Sequence, residues 1–159
     1  MLGYHEIAAK QIVPTDEPLA PIPLSKYLCV RPIEPTMLAI TGKDIYVRRT
    51  IANMLVHASK MFAQSDANLR LEVVYGYRHP SIQRANFTAI RMKIALENPV
   101  LKGTKLLEAA NRFVAAPENA GHPAGAAVDV RLLKNGTAID MGTESRAFVA
   151  DTYGVLAIH

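Results

Sequence analysis

Cys29 is the only cysteine in the chain, so no internal disulfide can form and a four-cysteine zinc site is excluded. Any metal would have to be held by imidazole and carboxylate. Tryptophan is absent, and six tyrosines and four phenylalanines offer few platforms on which bases could stack. No apolar run reaches the roughly twenty residues that a bilayer crossing needs, which excludes a helical membrane span. Blocks of like charge are missing too. The 18 basic residues outnumber the 14 acidic ones, for a formal charge of +4, but they are scattered along the chain. Dispersed charge with few aromatics argues against a nucleic-acid partner. Near the start, Glu6 and Lys10 are followed by Pro14 rather than by a basic tip and an apolar run. No signal peptide is expected, and the cytoplasm is the default compartment.

What is present fits one folded unit. The 159 residues are half apolar and one-fifth charged, enough to bury a real core. Six prolines between Pro14 and Pro35 deny that stretch helical freedom. Residues 1–36 are therefore expected to form a proline-rich arm with at most short strands, and residues 37–159 the main domain. From Asp44 the pattern turns helical, with Val47, Ile51, Met54, Leu55, Ala58, Met61 and Phe62 on one side. A strand is expected over Leu71–Tyr75, ending at Gly76. A second helix should follow Ser81 and stop before Pro99, burying Phe87, Ile90 and Ile94. A third runs from Thr104, as N-cap, to about Phe113. Val128, Val130 and Leu132 share one strand parity, and Asn135-Gly136 suits a type I′ turn into a return strand through Ala138, Ile139 and Met141. A last helix is expected from Glu144 to Tyr153. Helices packed on a small antiparallel sheet make an α+β domain.

The chemistry-bearing stretch is Gly121-His122-Pro123-Ala124-Gly125-Ala126-Ala127-Val128-Asp129. Imidazole and carboxylate both bind zinc well, and a catalytic zinc takes three protein ligands and keeps one position open. His122 and Asp129 are too far apart in sequence to share a helical face, but a loop turning at Gly125 into a strand brings them together. Spacing alone leaves a structural histidine and a strand-edge aspartate as the commoner outcome. Arg78, in Tyr75-Gly76-Tyr77-Arg78-His79-Pro80, is either a fixed positive charge for a site or a partner of Glu72 or Asp66. Tyr77 reads as a packing residue, His57 as solvated, His79 as a turn histidine and Cys29 as a small buried apolar residue.

His122, Gly125, Ala127 and Asp129 form His-x-x-Gly-x-Ala-x-Asp, which resembles the zinc motif of the D-alanyl-D-alanine dipeptidases, the VanX-like branch of the M15 metallopeptidases. Three more stretches resemble that family in the same order. They are the Tyr75–Pro80 segment, with one residue inserted before the proline, Val114-Ala115-Ala116-Pro117 ahead of the metal loop, and Asp140-Met141-Gly142-Thr143 after the hairpin. The helix that starts at Tyr46, Val47 and Arg48 also sits where a family helix would, so the likeness spans roughly residues 25 to 145. It implies a Hedgehog/DD-peptidase-like fold, a Zn2+ cofactor held by His122 and Asp129, and Arg78 as the charge that meets the oxyanion of the attacked carbonyl. Asp140 would hold the hairpin or orient a ligand. The implied substrate is a small D-amino-acid dipeptide.

The family closes its site with a late Glu-x-x-His, whose glutamate is the general base and whose histidine is the third ligand. No such stretch occurs here, and Glu144-Ser145-Arg146 replaces the family's Phe-Asp after Thr143. His159 has Leu156 three places before it and is not expected to ligate. The domain is accordingly expected to be incomplete at its C-terminus and poorly active alone. It is a fragment, a non-catalytic peptide- or muropeptide-binding relative, or a chain completed by another. The persistence of His122, Asp129 and Arg78 together favours the fragment.

Overall fold

The computed structural model describes residues 15–141. His5, Gly142, Thr143, the helix expected over 144–153 and His159 lie outside the described residues. Strand β1 (Leu19–Pro21) pairs antiparallel with β3 (Tyr46–Arg48) in a two-stranded ribbon. Between them come β2 (Leu28–Val30) and helix α1 (Pro35–Thr41). Proline suits the first turn of α1, where its missing N–H costs nothing. β3 runs directly into α2 (Arg49–Ser65).

Two details of α2 differ from the helical pattern. Val47 lies in β3, fully buried, because pairing with Ala20 claims it before the helix begins. Met54 and Met61 expose more than half their surface (61% and 56%). The buried face instead carries Ala52, Leu55 and Ser59, flanked by Ile51, Val56, Ala58 and Phe62. Periodicity finds a stripe, but the element it packs on sets the rotation.

The main sheet has the order β2-β4-β5-β6, with β4 (Leu69–Tyr75), β5 (Asp129–Lys134) and β6 (Thr137–Ala138). β4–β5 and β5–β6 are antiparallel, whereas β2 joins β4 in parallel. Asn135 and Gly136 both have positive φ (52° and 81°), as a type I′ turn requires. α2 covers the face presenting Leu71 and Val73, and the core there gathers Leu28, Val47, Ile45 and Leu55. Each such side chain contributes about 1.5–3 kcal/mol on burial.

α3 (Pro80–Glu97) and α4 (Gly103–Asn111) pack on each other around a second core of Phe87, Ile94, Ala110, Val114 and Ala116. His79 is the N-cap of α3, its Nδ1 accepting from the Ser81 N–H. α4 begins one residue before Thr104, with Lys102 as N-cap, because Gly103 turns the chain at φ +54°. The class is α+β. Among the described residues no helix is long and apolar enough to cross a membrane.

Candidate metal site

Small residues close the loop that carries His122. Gly121 lies so near Ala127 that a Cβ on it would come within 2.9 Å of the alanine methyl. Gly125 has φ +69°, and a Cβ there would meet Leu19 at 2.4 Å. The Gly125 N–H donates to the His122 carbonyl (3.0 Å) and the Ala126 N–H to that of Gly121 (2.9 Å). The loop then delivers Asp129 as the first residue of β5. Between Val73 and Tyr75 the β4–β5 register slips, so Asp129 faces Tyr75 rather than Val74. A bulge re-aims side chains at a strand end in this way.

The result is a close pair, with His122 Nε2 3.7 Å from Asp129 Oδ1. The His122 side chain is 18% exposed and that of Asp129 56%, so the pair has one wall in the protein and one side open to solvent. Nδ1 of His122 is 2.8 Å from the Gly76 carbonyl oxygen. That oxygen can only accept, so Nδ1 carries the proton. Burial pushes the imidazole below its ordinary value, Arg78 adding to the shift, against the pull of Asp129 and the carbonyls of Gly76 and Ala127. The ring is therefore neutral at pH 7, and Nε2 presents a lone pair towards a carboxylate oxygen.

With the proton on Nδ1, Nε2 and the carboxylate oxygen are both acceptors and share no hydrogen bond across their 3.7 Å. They are close to the edge of about 3.3 Å that a tetrahedron with bonds of about 2.0–2.1 Å would give them. A histidine whose other nitrogen donates to a backbone carbonyl is the usual ligand arrangement for zinc. The donor set thus fits two of three zinc ligands. Among the described residues no group of three His, Cys, Asp or Glu is close enough to hold a metal.

Arg78 is built into the same cluster. Its backbone N–H donates to the His122 carbonyl (3.1 Å). Its guanidinium stacks over the Tyr75 ring (4.5 Å to the centroid), and Nε donates to the Tyr75 hydroxyl (2.9 Å). Tyr75 in turn meets the His122 ring edge-on at 5.2 Å. Burial raises the Tyr75 phenol above its usual range, with Arg78 opposing, so it stays protonated. The carboxylates first considered as partners for Arg78 are engaged elsewhere: Glu72 pairs with Arg131 across the sheet and Asp66 with Lys134 (2.9 Å).

Gln83 and Tyr75 carry roles that pattern reading does not reveal. Gln83, 1% exposed, accepts from Arg78 Nη1 (2.7 Å) and donates to the Ala115 carbonyl (2.6 Å). A polar residue on a helix face otherwise given to the apolar core was its only signal. Tyr77 is half-buried, its N–H bonded to the Tyr46 carbonyl (2.7 Å). With Glu34, Met37 and Tyr46 it lines a shallow groove that shares Tyr75 and Gly76 with the site but is not lined by His122, Asp129 or Arg78.

No family model and no curated protein matches the chain. Among solved structures it is similar to a mutant of the vancomycin-resistance D,D-pentapeptidase VanY, from a VanB-type resistance cassette, in complex with Zn(II). The identity is 22% and the TM-score 0.42, over 70% of this chain and 56% of that one. The chain thus spans just over half of that protein's length.

Proposed function

We propose that this chain carries the metal-holding part of a cytoplasmic zinc dipeptidase acting on D-Ala-D-Ala, or a related short D-amino-acid peptide of cell-wall metabolism. The observation that carries this reading is the facing pair of His122 Nε2 and Asp129 Oδ1, with the histidine's proton committed to Gly76. The ordered resemblance of the Tyr75–Pro80, Val114–Pro117 and His122–Asp129 stretches to the dipeptidases supports it. His122 and Asp129 would hold the zinc, and when bound it would polarise the scissile carbonyl and acidify a water. Arg78, held by Tyr75 and Gln83, would supply a charge that stays on at any physiological pH to meet the developing oxyanion.

The sequence has no Glu-x-x-His stretch, which favours a second reading, a non-catalytic relative that binds short peptides. One experiment separates the two. The zinc-dipeptidase reading expects close to one zinc per chain in a titration, slow but measurable D-Ala-D-Ala cleavage in zinc-saturated buffer, and loss of both in His122→Ala. Zinc bound without cleavage supports the binding relative. Zinc affinity unchanged in His122→Ala would refute the site itself.

A further inference from the structure

We propose that Arg48 is the positioning residue of the metal loop, fixing where His122 stands relative to Asp129. The proposal rests on the reading of this pair as zinc ligands. Arg48 closes β3 immediately before α2. Its backbone N–H donates to the Gly125 carbonyl (2.9 Å) and its Nε to the Ala124 carbonyl (2.8 Å). Nη1 donates to the Glu17 carbonyl. One residue therefore grips two consecutive carbonyls at the crest of the loop, two and three places beyond His122, and ties them to the chain ahead of β1.

The grip is itself anchored. The Glu17 carboxylate accepts from the Thr50 N–H in the first turn of α2, a bond that holds its pKa down. Carboxylates are favoured at helix N-termini. The Arg49 N–H adds a bond to the Pro18 carbonyl (3.3 Å). Gly125 then sits flush on this ribbon, with no room for a Cβ between it and Leu19. On its other side the loop is held at His122, by Gly76 and the Arg78 N–H. His122 is thus suspended between the end of β4 and the Arg48 clamp, while Asp129 is fixed by β5. The guanidinium donates from two separate nitrogens in a fixed plane, which the single ammonium nitrogen of lysine does not reproduce.

The test compares Arg48→Met, Arg48→Lys and, as a neighbouring control, Arg49→Met, all in the full chain. Zinc affinity is read by competition with a chromophoric chelator, global stability by thermal melting, and the metal-free His122 ring by its nitrogen–proton NMR correlations. Arg48→Met is expected to weaken zinc binding by about 10–100-fold, as for other residues that orient a ligand, while keeping a cooperative melt. Its His122 ring signals should shift or double. Arg48→Lys should recover part of the affinity, and Arg49→Met should match the parent. Unchanged zinc affinity and unchanged ring signals in Arg48→Met would overturn the proposal. So would an affinity loss equalled by Arg49→Met. If Arg48→Met does not fold, Arg48→Lys decides by the same two readouts. A parent chain that binds no zinc sinks the metal reading alone. The ring signals of the Arg48 variants then still decide whether the clamp positions His122.

Discussion

Arg78 is the residue where packing and the proposed chemistry meet. Its guanidinium lies on Tyr75, is bonded by Gln83 and stands within electrostatic reach of His122. A charge so placed costs little reorganisation when a negative charge develops beside it. In a preparation that cleaves D-Ala-D-Ala, Arg78→Met is expected to lower kcat by about 10²–10³-fold, as loss of an oxyanion donor does elsewhere. Zinc affinity should barely change, because the backbone bond from residue 78 to the His122 carbonyl remains. Steady-state kinetics beside a zinc titration checks this. An equal fall in both would place Arg78 among the groups that shape the metal loop rather than the reaction.

At the scale of elements, the β4–β5 ladder sets the site, and its far end is pinned by Asp66 and Lys134 (2.9 Å). Lys134, followed by the Asp66 side chain's bond from the Asn68 N–H, holds the Asp66 carboxyl below its ordinary value. A carboxyl depressed in the folded state stabilises it above the unfolded pKa, and the effect fades as pH falls through the depressed value. Asp66→Asn should therefore melt lower than the parent at neutral pH, with the gap closing in acid and shrinking in high salt. A gap independent of pH would mean that the carboxylate's charge is not what matters. The same ladder shows what the sequence could and could not reveal. The strand over 71–75 and the Asn135-Gly136 turn were legible, because alternation and positive-φ residues are local signals. The turn at Gly125 was legible for the same reason. The register slip opposite Asp129 was not, since it depends on how two distant strands meet. Val47 was misplaced for a related reason: its pairing partner in β1 lies 27 residues away, where helical periodicity has no view. The roles of Tyr75, Gln83 and Arg48 were equally hidden, because each acts through atoms contributed by another segment.

At the scale of the molecule, α3 and α4 pack chiefly on each other rather than on the sheet among the described residues. The sheet core is covered by α2, while α3 and α4 enclose their own cluster. Gln83 bridges from the second core to Arg78, and the 112–128 segment returns from it to β5. Such units open separately when their contacts are largely internal. Amide exchange should therefore show α3 and α4 opening at lower free energy than β4, β5 and α2, with zinc protecting β5 more than α4. Uniform protection across both would make the fold a single cooperative unit.

The edge-on contact of Tyr75 with His122 also has an optical side. In a chain without tryptophan, ultraviolet emission is dominated by tyrosine. One of those phenols rests against the His122 imidazole and beneath the Arg78 guanidinium. Zinc binding at the proposed His122–Asp129 pair is therefore expected to change the protein's own tyrosine fluorescence, with no label attached.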